Sequence, residues 1–321
     1  MAKYLVTGGC GFIGSHLVDA LLESGHQVII IDNLSTGKQH NVPPHATIIT
    51  SDINDPSVLQ ETLVDIDGCF HLAAIASVQE SIHHWTKTHL ANQTGFVKLL
   101  DAITALNKPI PVVYASSAAI YGDNPHVPLS EDERPNPMSA YGADKLACEY
   151  HAKIASNIHA IPTIGLRLFN VYGSRQDYSS PYSGVISIFV DSIGQGNDIT
   201  IYGTGEEIRD FVYVKDVVTA FTLSMHSLHQ QPELYSSKIY NVATGVETSI
   251  TTLANTLQRL IGNNVTTHFQ PDRPGNIKKS LANITRITKE QGFCPAYSLE
   301  DGIAQMLVEQ QLPTALRAAS S

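Results

Sequence analysis

The stretch from Lys3 to Asp32 constrains the fold of this chain more than any other. Ala2-Lys-Tyr-Leu-Val-Thr7 is a short β-prone run that enters Gly8-Gly9-Cys10-Gly11-Phe12-Ile13-Gly14. Ile13, Leu17, Ala20 and Leu21 then recur at helical spacing until Gly25, which suits a helix end. A second apolar run, Gln27-Val-Ile-Ile-Ile-Asp32, closes on an acid. Strand, glycine turn, helix, strand and acid, in this order, is the context that a dinucleotide phosphate site requires. The turn reads equally as Gly8, Gly11, Gly14 or as Gly9, Gly11, Gly14. In either reading the glycines let backbone approach a pyrophosphate, and the helix N-terminus supplies N–H donors. Asp32 accepts from a ribose hydroxyl and would repel a 2′-phosphate, which favours NAD over NADP; Lys38 is the nearby cation that opposes this preference.

The alternation continues downstream. Thr47–Thr50 is a third strand, followed by Asp52 and Ile53 where an adenine would sit. Asp52 suits the adenine amine or, alternatively, an N-terminal cap, since Asp55-Pro56 opens a helix. Gly68–Ala74 is a fourth strand running into small residues, and a helix is expected over about Thr88–Leu106. Pro111–Ser117 is a fifth strand ending in two hydroxyls, at the strand end where open α/β sheets bind ligands. The loop on to Pro137, rich in Pro, Asp and Glu, is expected to be exposed. Strand Thr163–Leu168 leads to an expected turn over Phe169–Gly173. Beyond it the alternation breaks, with a helix near Val185–Ile193, a strand at Ile199–Tyr202, a helix at Ile250–Ile261 and a loop over Asp272–Ser280. Segments Asp210–Val214 and Ile239–Val242 are expected to return to the first lobe. The predicted class is α/β: a Rossmann-type doubly wound parallel sheet with a smaller mixed α/β substrate lobe. Residues 1–175 with about 210–244 form the first, and 176–209 with 245–321 the second.

Chemistry is suggested by Ser139-Ala-Tyr-Gly-Ala-Asp-Lys145. The spacing of four puts Tyr141 and Lys145 one turn apart on one helical face. A free tyrosine titrates near pKa ~10 and is a poor base at neutral pH. An ammonium ~5 Å away, at an effective dielectric of ~20, stabilises a phenolate by roughly 3 kcal/mol. That suffices for acid–base work on a sugar alcohol near neutrality. The spacing alone leaves open a half-buried tyrosine beside a solvated lysine. For Ser117 it leaves open a strand-end cap.

Composition narrows the classes. Thirty acidic against twenty basic residues give a net charge of −10, which argues against nucleic acid. No apolar run approaches the ~18–20 residues of a membrane helix, and the chain enters a strand without a signal-like leader. Cys10, Cys69, Cys148 and Cys294 lie far apart, as expected of reduced, mostly buried thiols in a cytoplasmic protein. The fourteen histidines show no ligand spacing, so no metal is expected, and pairs such as His83-His84 read as surface residues.

Together, Thr7–Leu17, Asp32-Asn-Leu, His71-Leu-Ala-Ala, Ser116–Gly122, Tyr141–Lys145, Arg167–Gly173 and Arg209-Asp-Phe-Val resemble the extended short-chain dehydrogenase/reductase family. They are most similar to its nucleotide-sugar 4-epimerases. Asn92–Phe96, Gly173–Asp177 and the Arg273–Ser280 segment are similar to the UDP-N-acetylglucosamine 4-epimerase branch. Phe96 departs from the Thr of many galactose epimerases, and Ser280 from the bulky residue that some carry. The resemblance implies bound NAD, with Phe12, Ile13, Asn33, Ile53, Ala73, Tyr141 and Lys145 beside it as well as the glycines and acids above. It implies a catalytic trio of Ser117, Tyr141 and Lys145. Substrate contacts are implied at Ser77, Ser117, Asn170, Gln176, Arg209, Arg273 and Ser280, and a homodimer paired through two long helices. Arg167 and Arg175 suit structural ion pairs equally well, and Ser280 suits a turn cap. Two other readings share the fold: a 4,6-dehydratase and a cofactor-sensing protein without catalysis. The first usually carries an Asp–Glu pair after the active hydroxyl, where this chain has Ala118 and Ala119, and the second should lack the Tyr/Lys pair.

Overall fold

The buried parallel strands follow from continuous apolar runs, because helices cover both faces of the sheet and leave no solvent side. The computed structural model describes residues 1–106, 108–176, 184–272 and 277–311. Seven strands form the central sheet: β1 (Lys3–Thr7), β2 (Gln27–Asp32), β3 (Thr47–Thr50), β4 (Gly68–His71), β5 (Val112–Ser117), β6 (Thr163–Leu168) and a last one at Lys238–Val242. From one edge the order is Lys238–Val242, β6, β5, β4, β1, β2, β3. Every neighbouring pair is parallel. The order reverses between β1 and β4, which opens a crevice at their carboxyl ends.

Alternating side chains feed two cores. Val6, Ile30, Phe70, Val113 and Ile164 face the helices Phe12–Glu23 and Val214–Gln230 through Leu17, Leu21, Val217 and Phe221. Leu5, Ile31, Cys69, Val112 and Tyr114 face the other side, against Leu59, Leu99, Ile103, Cys148 and Ala152. A third cluster joins Tyr172, Phe189, Ile201, Leu253, Leu257 and Ile303. It lies under helices Val185–Gly194, Ile250–Ile261 and Leu299–Glu309. Cys10, Cys69 and Cys148 are buried thiols and Cys294 is exposed. Among the described residues no helix is long and apolar enough to cross a membrane.

Several local expectations are corrected. The single helix over Thr88–Leu106 is three joined pieces: Trp85–His89, a π turn at Leu90–Thr94, and Gly95–Ala105. The turn over 169–173 contains a short strand, Asn170–Tyr172, paired in parallel with Phe211–Tyr213. The loop expected to run on to Ser280 ends instead in a strand, Lys279–Ser280, beside Ile208–Arg209. The acidic loop after β5 is only partly exposed. Leu129 is buried and exchanges backbone bonds with the 281–283 segment, donating to the Leu281 carbonyl at 2.8 Å and accepting from Asn283 at 2.8 Å. The Glu131 carboxylate accepts from the Asn241 backbone N–H at 2.9 Å, and burial raises its pKa above the usual carboxylate range.

Candidate active site

The carboxyl ends of the strands line one cleft of about 1620 Å³. At its floor the glycine turn is shaped for backbone rather than side chains. Gly8 has φ +71°, and a Cβ on Gly14 would stand 2.2 Å from the Gly8 carbonyl oxygen. Gly11 caps the helix Phe12–Glu23 without any side-chain hydrogen bond, and Phe12, Ile13 and Gly14 line the cleft. An uncapped helix N-terminus behind a glycine turn is a ready anion site. These residues fit the pyrophosphate of a dinucleotide.

Asp32 ends β2 and lines the same cleft, and its carboxylate is held by backbone on both oxygens. Oδ2 accepts from the Cys10 N–H at 2.9 Å and Oδ1 from the Leu34 N–H at 2.8 Å. The carboxylate therefore ties the glycine turn to the 33–38 loop, while its remaining lone pairs can accept a hydroxyl. Asn33, Asp52 and Ile53 line the adjoining part of the cleft. Asp52 is not a helix cap; that role falls to Asp55, which accepts from Ser57 N–H at 3.0 Å. Asp52 accepts instead from the Asn54 N–H at 2.8 Å and from Asn33 Nδ2 at 3.2 Å. These bonds, led by the Asn54 backbone, hold its carboxyl below the usual range.

Across the crevice Ala73 approaches Gly8, its N–H donating to Thr7 Oγ1 at 3.3 Å. A Cβ on Gly8 would meet the Ala73 nitrogen at 2.7 Å, so only glycine allows this approach. The loop that follows is held by Asn92, whose amide accepts from Ile75 N–H at 2.7 Å and donates to Ile75 carbonyl at 3.2 Å. Asn92 lies in the π turn, and the spacing of the sequence gives no sign of that role. The same loop brings Ser77 to the cleft, where it also caps helix Val78–His83.

The helix Ala140–His159 begins at Ser139, whose Oγ accepts from Gly142 N–H at 3.1 Å. That cap fixes the rotation that turns Tyr141 and Lys145 toward β5. Both are buried, so the solvated-lysine alternative is set aside. Lys145 Nζ donates to the Ala115 carbonyl at 2.8 Å and lies 5.9 Å from the Tyr141 ring centre. Ser117 at the end of β5 accepts from Ala119 N–H at 3.1 Å. It caps the short turn Ala118–Ile120, but that bond uses a lone pair and leaves the O–H proton for the cleft that Ser117 lines.

Asn170, Gln176, Arg209 and Ser280 line the same cleft. Ser280 is a strand residue in register with Arg209, so its turn-cap alternative does not hold. Arg209 is anchored through the next residue. Asp210 accepts from Thr244 N–H at 2.9 Å, Gly245 N–H at 2.9 Å and Ala282 N–H at 3.2 Å. Arg273 and Asp177 lie outside the described residues. Arg167 and Arg175 are structural, paired with Glu149 at 2.7 Å and Asp19 at 2.6 Å. His83 and His84 are exposed. Among the described residues no His, Cys, Asp and Glu group is arranged to hold a metal ion.

Known proteins resemble this chain in sequence and in fold. A sequence model of the NAD dependent epimerase/dehydratase family matches residues 4–243. A putative UDP-glucose 4-epimerase of Methanocaldococcus jannaschii is 33% identical over 304 residues, covering 94% of this chain and 96% of that one. UDP-glucose 4-epimerase of Thermotoga maritima, solved with UDP-glucose, has a TM-score of 0.91 and 34% identity, over 96% and 98% of the two chains. UDP-N-acetylglucosamine 4-epimerase of Methanobrevibacter ruminantium, solved with UDP-N-acetylmuramic acid, has a TM-score of 0.90 and 38% identity, over 97% and 99%.

The glycine geometry makes a direct prediction. Gly14→Ala should fold but purify with less than about a tenth of the bound dinucleotide of the parent protein, because the new Cβ moves the turn by more than a hydrogen bond tolerates. Acid release followed by absorbance measures it, and undiminished cofactor content would show that this turn is not the pyrophosphate site.

Proposed function

The chain belongs to the NAD-dependent epimerase/dehydratase family, and from that premise we propose that it inverts UDP-hexoses at C4 through a transient 4-keto sugar. The preferred pair is UDP-GlcNAc and UDP-GalNAc, with UDP-Glc and UDP-Gal as lesser substrates. The observation that carries this reading is the convergence of Ser117, Tyr141 and Lys145 on one wall of the cleft, beside Ala118 and Ala119. Dehydration needs a further acid and base next to the active hydroxyl, and two alanines transfer no protons. A cofactor sensor would have no use for the buried Tyr/Lys pair.

Residues 1–175 with about 210–244 are assigned the cofactor, and 176–209 with 245–321 the substrate. When bound, NAD supplies the acceptor and donor for the C4 hydride and ends each cycle unchanged. The protein does the rest. Tyr141 takes the proton of the sugar O4 as a phenolate stabilised by the Lys145 ammonium. Ser117 donates its free O–H to the same oxygen and orients it. Arg209 and Arg273 meet the diphosphate, for which a planar guanidinium is suited, with Asn170, Gln176 and Ser77 completing the substrate contacts. For C4 to be reduced on its other face the 4-keto sugar must swing about its diphosphate link, and Tyr141 then returns its proton to O4. Tyr141→Phe keeps the ring and loses the proton carrier, so kcat should fall by ~10²–10⁴ with NAD content unchanged. A variant retaining half of the parent kcat would remove Tyr141 from this role.

Substrate breadth is assigned to Ser280, whose small side chain leaves room for an N-acetyl group beside Arg209. Protein given a panel of UDP-sugars without added NAD should interconvert the C4 epimers. Conversion that depends wholly on added NADP, or that leaves stoichiometric NADH, would contradict the proposed reaction. Within the panel, Ser280→Tyr should cost the N-acetylated pair several kcal/mol and the hydroxyl pair less than ~1.4 kcal/mol, a factor of ten in kcat/KM. Equal losses for both pairs would relieve Ser280 of the gating role.

A homodimer is supported by the outer face of the Tyr141 helix. Tyr150, Ile154 and Ile158, spaced by four, are 58%, 48% and 71% exposed, an apolar stripe that a single chain leaves in water. Ile154→Asp should halve the mass measured by light scattering; a parent protein that already runs as a monomer would refute the dimer.

A further inference from the structure

The Tyr141 helix carries a third polar side chain in the same row. Glu149 follows Lys145 by four residues, as Lys145 follows Tyr141, so all three meet the sheet on one face. Glu149 is only 4% exposed, and the proposed proton transfer does not use it. Its carboxylate takes two bonds from Arg167 of β6, Nε to Oε1 at 2.9 Å and Nη2 to Oε2 at 2.7 Å. Ser116 donates its Oγ–H to Oε1 at 2.6 Å. Arg167 Nη1 donates onward to Tyr121 Oη at 2.8 Å and to the Glu131 carbonyl at 3.0 Å. Tyr121 in turn donates to Asn241 Oδ1 at 2.6 Å. Burial disfavours the Arg167 charge, but the Glu149 bonds outweigh it and hold its pKa above the ordinary value.

Such a pair is a poor device for stability alone. Desolvating two charges costs several kcal/mol, and an apolar pair of equal volume often serves as well. What it provides is direction. Side chains alternate along a strand, so Ser116 faces the helix when Ser117 faces the cleft. Holding Ser116 against Glu149 fixes the roll of the strand end and with it the aim of Ser117 Oγ. Lys145 holds the preceding carbonyl, that of Ala115. One helix thus grips two successive residues of β5 just before the active hydroxyl. Arg167 extends the grip to β6, three residues before Asn170, and to Tyr121 beyond the active hydroxyl.

We infer that Glu149 is a positioning residue, which aims Ser117 at the substrate oxygen shared with Tyr141 by locking Ser116 and Arg167 to the catalytic helix. The inference takes its substrate from the 4-epimerase reading and its geometry from the network alone.

Glu149→Gln tests it. The amide keeps the volume, but both carboxylate oxygens accept from Arg167, so whichever way it turns its NH2 faces a guanidinium N–H, and at the Oε1 position it also removes the acceptor of the Ser116 hydroxyl. The expected result is a kcat per NAD-loaded site lowered by about 10-fold or more, since misplacement by ~1 Å costs up to ~10². KM and NAD content should stay within about twofold, and amide exchange across residues 112–121 should quicken. Ser116→Ala removes one hydroxyl at the same junction and should lower kcat by about 5-fold with the same split; it decides the matter if Glu149→Gln does not fold. A merely structural role would lower the melting temperature while leaving kcat per loaded site and exchange at 112–121 unchanged, and that result overturns the inference. If the parent protein converts no UDP-sugar, the epimerase reading fails, and the exchange measurement still decides whether Glu149 holds the Ser117 strand end.

Discussion

Because all seven strands of the sheet run in one direction, every carboxyl end meets the same edge, and the site depends on that alignment. The glycine turn after β1, Asp32 after β2, Ala73 after β4 and Ser117 at the end of β5 are distant in sequence. The parallel register stacks them along one crevice at the point where strand order reverses. No side chain needs to reach far, and small residues replace large ones wherever backbone must come close. The 2.2 Å that would separate a Gly14 Cβ from the Gly8 oxygen expresses this constraint in one distance.

The chemistry is set against that edge by a single helix. Ser139 starts it, Lys145 fixes it to the Ala115 carbonyl, and Glu149 fixes it to Ser116 and Arg167. Buried polar groups are costly unless each is bonded, and here the bonds join elements that must agree in position. The strand pair that carries Arg209 and Ser280 uses the same device. Asp210 gathers the backbones of Thr244, Gly245 and Ala282, and so holds Arg209 and Ser280 in adjacent register. Its burial raises its pKa above the usual range, against the bonds that favour its charge.

Much of this was legible in the sequence, for physical reasons. Strands buried on both faces read as unbroken apolar runs such as Val28–Ile31, and the glycine turn has few other uses between a strand and a helix. The spacing of Tyr141 and Lys145 is local, so it survives translation into structure. What was not legible depends on distant partners. The π turn at Leu90–Thr94 shifts hydrogen bonds without changing composition, so the two hydrogen bonds between Asn92 and Ile75 could not be read. The loop after Ser117 looks exposed because it is acidic and rich in proline. Asn241, more than a hundred residues away, is what takes Glu131 out of water. Likewise, Asp32 reads as a ribose partner, and only the folded 33–38 loop shows that it also braces the glycine turn.

In the proposed reaction a hydride leaves C4 and returns to it within one site. The most direct measurement is turnover of UDP-GlcNAc bearing deuterium at C4, followed by mass and NMR analysis of the UDP-GalNAc formed. The expected result is that the deuterium stays at C4 in the epimerised product, with none in water and none in added free NAD. Loss of the label to solvent, or its appearance in the external cofactor pool at the rate of turnover, would contradict it.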